Sequence, residues 1–385
     1  MIFKTKTGQV ADGDAYYHRE YLDAQFWKYI SHGAHVLISA PRRVGKSSFL
    51  NHIAQQGRKG YIIKYHDTES INNSNDFFKR LYKSLLEELS QKDQLWQKLT
   101  TLIQRNKIEK IGSGGIEIKG SNLDYYNEFR HLITEMETDH TFIFILDEFS
   151  ETTENIIQDA GEKEALLFLN QNRELRQNMS IRNKIQFVYC GSIGLANITE
   201  RIYASKTIND LTDLNIPPFS NEEALALIRQ VLINKEIEFK QESMEYLLDK
   251  ISWLMPFYIQ IILDELDTIL IKNLRPVSRE LIDQAFEQSI NKRLYFDHWH
   301  TRLRTVYKGN EFNFIKAILN KASTSTEGIA LVDIYDLAVR YETEAVYMSL
   351  LKSLVYDGYL HADTKRVYTF NSPLLLQWWK NNIAF

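Results

Sequence analysis

The sequence predicts an α/β layer fold on a largely parallel sheet, followed by a run of helices and then a winged helix. Three observations carry this. Over about the first 200 residues, apolar strand-like runs alternate with helical stretches, the pattern of parallel strands joined by crossover helices. From about residue 220 helix follows helix: NEEALALIRQVLI, MEYLLDKISWL, PFYIQIILDELDTIL and SRELIDQAFEQSI all repeat apolar residues every three or four positions. From about 309, FNFIKAILNKA, LVDIYDLAVRY and ETEAVYMSLLKSLVYDGYL precede a strand pair in HADTKRVYTF, the order of a winged helix.

Each element has its local reason. Residues 18–31 have helical spacing, HVLIS (35–39) reads as a buried strand, and KSSFLNHIAQQG opens a helix that Gly57 closes. YIIKYHD (61–67) is a second strand, and 75–106 is a long helical block with one apolar and one charged face. KIEKIGSGGIEIKG alternates around a Gly-rich turn at 112–115, which reads as a small hairpin between core elements. A helix at about 123–138 leads into TFIFILDEFSE, a continuous apolar strand ending in two carboxylates, and IQFVYCGSIG is a further strand ending in a small-residue turn. The expected divisions are a core at 1–218 carrying an insertion at about 75–122, a helical lid at 219–308 and a winged helix at 309–385.

Composition excludes several classes. With 385 residues, 44% hydrophobic and 25% charged, the chain has the balance of a globular protein with about two or three domains. FIFIL and WLMPFY fall well short of the roughly 20 apolar residues that span a bilayer. MIFKTKTGQVADGD has no long apolar block of the secretory kind, so a cytoplasmic location is expected. Cys190 is the one cysteine and sits in an apolar run, where it reads as a small buried hydrophobe in a reducing compartment. The net charge of −4 exerts no overall pull toward nucleic acid or an anionic membrane.

The turn between HVLIS and the next helix reads A-P-R-R-V-G-K-S-S. This is the phosphate-binding pattern G-x-x-x-x-G-K-[ST] with Ala40 in place of the first glycine. A phosphate cradle needs backbone N–H groups turned inward at a helix N-terminus, where the helix dipole favours negative charge. The cradle residues are Pro41, Arg42, Arg43, Val44, Gly45, Lys46, Ser47 and Ser48. Lys46 would reach the β- and γ-phosphates, the Ser47 hydroxyl would hold Mg²⁺, and Gly45 keeps a side chain out of the phosphate's way. The bland alternative is a strand–turn–helix that happens to contain G-K-S.

A second constellation argues against that alternative. FIFILDE delivers Asp147 and Glu148 at a strand's C-terminal end, where ligands bind in such sheets. Asp147 is the candidate for the Mg²⁺ shell and Glu148 for the group that orients or activates the attacking water. Without a ligand they would be a helix N-cap and a solvated first-turn carboxylate. A third element, FVYCGSIG, is a strand ending in Cys190-Gly191-Ser192, where Ser192 is a candidate sensor of the γ-phosphate or the water, or simply a turn residue.

These residues, together with YYHREYLDAQFWKYISHGAHVLISAPRRVGKSSFL, MPFYIQ and LLKSLVYDGYL…YTFNSPLLLQWW, resemble the archaeal-type P-loop ATPase family. That family lies near the STAND and origin-recognition branches of the AAA+ superfamily. The resemblance runs in order through nearly the whole chain. It implies an ATP-binding α/β core, a helical lid and a C-terminal winged helix, with ATP and Mg²⁺ as cofactors. Tyr17 and Arg19 match the family's box ahead of the first strand, which implies a place near adenine, and Pro256 matches the lid proline that faces the nucleotide. Ala40 and Met255 depart from the family pattern, each standing where glycine is usual.

Other charged groups are less specific. Arg173 and Arg176 in NQNRELRQ are candidates for a contact with a neighbouring subunit's nucleotide in a homo-oligomer, or solvated charges on a polar helix face. Arg302 and Arg304 match a family R-L motif of unassigned role. The H-x-H pair His298 and His300, if on a strand, would be a metal candidate, but no acid or cysteine nearby completes a site. Between 309 and 385 seven Lys and Arg stand against eight Asp and Glu, which is no footprint for DNA phosphates. The favoured reading is an ATP-hydrolysing switch whose lid and winged helix contact a protein partner. The alternatives are a DNA-associated AAA+ ATPase of loading, transposition or defence type, and a non-hydrolysing ATP-bound scaffold.

Overall fold

The computed structural model describes residues 2–90, 108–112, 115–118, 123–191, 194–232 and 237–384. It divides into two compact units. One comprises Tyr21–Ser39 and Leu50–Leu214; the other comprises Met1–Glu20, Ala40–Phe49 and Asn215–Phe385.

The first of these units contains the main sheet. In chain order its strands are β1 (Val36–Ser39), β2 (Tyr61–Asp67), the hairpin β3 (Ile108–Gly112) and β4 (Gly115–Ile118), then β5 (Thr141–Asp147), β6 (Ile185–Cys190) and β7 (Thr212–Asn215). The five-stranded sheet has the order β2-β5-β6-β1-β7, and β2, β5, β6 and β1 pair in parallel. A parallel sheet is covered by helices on both faces, so its inner strands read as continuous apolar runs. Phe142 to Asp147 and all of Ile185–Cys190 are buried accordingly. On one face, Phe77 from helix Ser74–Ser90 meets Phe149 and Phe168 edge to face, at 5.7 and 4.9 Å between ring centres. Of the long helical block, Ser74–Ser90 is a helix, and the remainder to 106 lies outside the described residues.

Because these strands are parallel, the C-terminal ends of β1, β6 and β5 come to one edge of the sheet, with β6 between the other two. The phosphate-loop sequence therefore leaves the sheet at the same edge as Asp147.

The second unit is largely helical. Helices Asn221–Val231, Gln241–Ile251, Pro256–Lys272, Arg279–Asn291 and Arg293–Val306 follow one another. Their starts are encoded locally: Ser220 and Glu223 form a reciprocal capping box, Ser278 caps Leu281, and Pro256 opens its helix at the first turn, where no N–H is needed. Helices Gly309–Thr324, Leu331–Arg340 and Tyr347–Tyr356 then combine with the antiparallel strands β8 (Ile329–Ala330), β9 (Leu360–Ala362) and β10 (Val367–Phe370), ordered β8-β10-β9, as a winged helix. A last helix, Pro373–Asn382, packs with helix Gly309–Thr324, where the Trp379 indole N–H donates to Asn320 Oδ1 at 2.9 Å.

His298 and His300 lie on helix Arg293–Val306 and not on a strand. Two residues apart on a helix, their rings diverge by about 200°, so they do not form a metal pair. His298 meets Phe257, whereas His300 meets Phe312 and Trp379. Among the described residues, no helix is long and apolar enough to cross a membrane.

Candidate nucleotide site

The loop after β1 closes on itself. Lys46 begins helix Lys46–Gln56, and its ammonium donates back to the carbonyls of Ala40 at 3.0 Å and Pro41 at 2.9 Å. Two of its three N–H donors are thereby used, and among the described residues the third has no partner. The loop turns through left-handed backbone at Arg43 (φ 66°) and Gly45 (φ 97°). Nothing lies within 4 Å of where a Cβ on Gly45 would stand, which leaves open space beside the helix N-terminus. Ala40 has no positive φ, and its methyl group is buried. This explains why alanine is accepted at the first glycine's place: no left-handed turn is required there. Val44 packs inward, and the Ser48 hydroxyl accepts the N–H of Ala11 at 2.9 Å.

The residues ahead of β1 are held by the segment that starts the helical region. Arg19 is buried; its Nε and Nη2 donate to the Glu223 carboxylate at 2.9 and 3.3 Å, and its Nη1 donates to the Pro217 carbonyl at 2.8 Å. Phe219 lies under this guanidinium at 5.1 Å and meets the Tyr17 ring edge to face at 5.6 Å. The Tyr17–Arg19 box thus ties the N-terminal segment to residues 217–223. Pro256 stands at the first turn of its helix, directly before Phe257.

At the end of β5 the Asp147 carboxylate is buried and held from two sides. The Tyr65 hydroxyl donates to Oδ2 at 2.6 Å, and the backbone N–H of Glu148 donates to Oδ1 at 3.1 Å. Tyr65 did not figure among the candidates read from the sequence. The sequence shows only that it lies two residues before the end of a strand; the register that pairs this strand with β5 is what brings it to Asp147. Glu148 has left-handed backbone, φ 57°, and is the N-cap of helix Phe149–Ala160, with no side-chain cap bond. A non-glycine residue in that conformation is held there by its surroundings.

Gly191, at the end of β6, packs against the same helix. A Cβ there would lie 2.0 Å from Ser150 Oγ. Ser192 lies outside the described residues. Arg176 is buried and donates to Asp210 through Nε and Nη2, at 2.8 and 2.9 Å, and to the Tyr189 hydroxyl at 3.1 Å. Held in this way it anchors β6 to the segment before β7 and is not available to a neighbouring subunit. Arg173 is less buried and reaches Asn209 at 3.5 Å.

The residues present fit a magnesium nucleotide. The loop offers a helix N-terminus, open space at Gly45 and a lysine with a donor to spare. The Ser47 hydroxyl in the same loop is a hard oxygen of the kind Mg²⁺ takes beside phosphate oxygens. The sheet order β2-β5-β6-β1-β7, the helical region and the winged helix make up a three-part α/β architecture, with the G-K-S loop following β1 and the acid pair following β5.

Solved structures agree. The chain is similar to a Walker-type ATPase of Pyrococcus abyssi, with TM-score 0.61 and 16% identity over 94% of this chain and 95% of that one. It is also similar to the ORC2 protein of Aeropyrum pernix in its ADPNP–ADP complexes, with TM-score 0.56 and 14% identity over 95% and 92% of the two chains. The chain shares the fold of these two proteins. No family model and no curated protein sequence matches the chain.

Proposed function

We propose that the chain is an ATP-binding and ATP-hydrolysing switch of the AAA+/STAND-like kind, in which nucleotide state controls the contacts that the lid and winged helix make with a protein partner. The observation that carries the reading is the loop Ala40–Gly45, folded over Lys46 at a helix N-terminus, with space kept open at Gly45. The relatives support it by what they are: one is a Walker-type ATPase and the other was solved with ADPNP and ADP.

In this reading Lys46 neutralises charge between the β- and γ-phosphates, and Ser47 and Asp147 hold Mg²⁺, which supplies charge neutralisation at the transferring phosphate. Glu148 orients and deprotonates the attacking water. Arg42, Val44 and Ser48 complete the cradle, Tyr17, Arg19 and Pro256 bound the base side, and Ser192 reports the γ-phosphate. Glu148 favours hydrolysis over a scaffold role, and the balanced charge of residues 309–385 favours a protein partner over DNA.

Nucleotide affinity of the parent and of Lys46→Ala, measured beside thermal melting, tests the reading. Lys46→Ala should lower ATP affinity by at least about 30-fold, the effect of removing one member of a buried charge pair, with little change in melting. Parental affinity in that variant would remove the assignment. Turnover measured with and without duplex DNA separates the switch from a DNA-dependent motor, which would be stimulated.

A further inference from the structure

Arg43 stands in the phosphate loop with left-handed backbone, a conformation that a residue with a side chain keeps only when its surroundings hold it there. Three segments hold its guanidinium. Nη1 donates to the Gly8 carbonyl at 3.2 Å, the guanidinium carbon lies 4.6 Å from the centre of the Phe257 ring, and Nε donates to Nε2 of His298 at 3.4 Å. The His298 ring in turn meets Phe257 edge to face at 6.0 Å. Burial first, then Arg43, Arg42 and Arg302, hold the His298 imidazole down to about 3, so it is neutral and Nε2 accepts. Among the described residues Nδ1 has no partner, so the ring's orientation rests on Arg43 and Phe257.

The helix that carries His298, Arg293–Val306, also carries the winged helix. The Trp299 carbonyl accepts the Tyr359 hydroxyl at 2.7 Å, and the two rings meet edge to face at 4.8 Å. Arg302, one turn beyond His298 on the same face, pairs with Asp357 at 3.4 Å, and both side chains are nearly buried. Between Asp357 and Tyr359, Gly358 has φ 87°, and a Cβ there would lie 2.3 Å from Trp253. The turn from the third helix of the winged helix into β9 is therefore clamped on both sides.

We propose that helix Arg293–Val306 is a rigid coupler between the phosphate loop and the winged helix, with Arg43–His298 as its contact at one end and Arg302–Asp357 and Trp299–Tyr359 as its contacts at the other. A docked winged helix pre-organises the loop through Arg43, and nucleotide bound in the loop tightens the docking, because such coupling is reciprocal. The inference rests on the ATP reading above and gives Arg302 of the R-L motif its role. His298 is a positioning residue, acting on the nucleotide through Arg43.

The test uses the full chain, ADP and a non-hydrolysable ATP analogue, with affinity measured beside hydrogen exchange at residues 357–370. In the parent, nucleotide should slow exchange there. His298→Leu should weaken affinity by about 5-fold or more and lose that protection. His298→Gln, whose side-chain oxygen can accept from Arg43, should restore both. Tyr359→Phe, which removes only a hydroxyl at the far end, should also weaken nucleotide binding, an effect that a merely local role for His298 does not produce. Should His298→Leu fail to fold, Tyr359→Phe decides alone. Parental affinity and protection in these variants, or a parent that binds nucleotide without protection at 357–370, overturns the coupling and leaves the ATP reading intact. A parent that binds no nucleotide overturns both.

Discussion

The Tyr65 hydroxyl donates to Oδ2 of Asp147 at 2.6 Å, across the pairing of β2 with β5. Burial and the adjoining Asp147 carboxylate push the phenol far above its usual range, so Tyr65 remains a donor wherever the protein is folded. In the proposed function, the carboxylate assigned to the metal shell is thereby fixed in orientation before any ion arrives. Tyr65→Phe should shift the Mg²⁺ dependence of ATP turnover to higher concentration and lower turnover at limiting Mg²⁺ by about 10- to 100-fold, the usual cost of losing a group that orients a metal ligand. A Mg²⁺ titration checks this; an unchanged profile would mean that Asp147 does not depend on Tyr65.

In the proposed function, Glu148 is the residue whose change separates binding from chemistry. Glu148→Gln keeps the shape of the side chain but cannot take a proton from water. ATP affinity should stay parental while steady-state turnover falls by about 10²- to 10⁴-fold. Hydrolysis at the parental rate would transfer the water-positioning role to another group, with Ser192 next in line.

The end of β6 is set by a close approach. Gly191→Ala places a Cβ 2.0 Å from Ser150 Oγ and 2.7 Å from Ser150 Cβ, so the strand end or helix Phe149–Ala160 must move. The expected cost is about 1–3 kcal/mol, as for overpacking of a core. Adding Ser150→Gly removes both atoms, and urea midpoints for the four members of the double-mutant cycle should show that the two changes are not additive. Strict additivity would show that the two sites do not compete for space.

Acid should weaken the fold in a defined window. His35 is buried and accepts the N–H of Phe187 on Nδ1 at 3.0 Å; burial first, then Arg176, lowers its pKa from 6.5 to about 4. His66 is lowered to about 4 as well, by burial and then by Arg80 and Lys64. Between these values the unfolded chain binds protons that the folded chain does not, so stability falls as pH drops from about 6.5 toward 4 and is unaffected by these groups at higher pH. Each histidine contributes up to about 1.4 kcal/mol per pH unit within the window. His35→Asn retains an acceptor for Phe187 and removes the titration, so its urea midpoints should vary less steeply with pH than the parent's. An equally steep profile would assign the acid sensitivity elsewhere.

Much of the fold was legible because its signals are local. The apolar run FIFIL ending in Asp147 and Glu148, the loop ending in Gly45 and Lys46, and the three helices ahead of β9 and β10 are each written in at most 16 consecutive residues. Weaker elements escaped for physical reasons. β8 is two residues long, and β7 buries only Leu214 of its four, so neither has a period to detect. The H-x-H pair carries no spacing information of its own, and the helical signal around it lies in the three- and four-residue spacing of the buried Phe296, Trp299 and Leu303.

The sequence by itself determined where the phosphate loop and the acid pair lie along the chain, because backbone turns, caps and apolar runs depend on neighbours within a few residues. Only the tertiary structure decided what each charged side chain does. Arg176, legible as a solvated or intersubunit arginine, lies 34 residues from Asp210 in sequence and is neutralised by it. Arg43, legible as a contact to phosphate or to a neighbouring acid or as surface charge, is 255 residues from His298 and rests against it. A guanidinium or phenol takes its partner from whatever the folded chain brings within about 3 Å, and the cost of burying it unpaired selects that partner. That distance is a property of packing, and no period in the sequence encodes it.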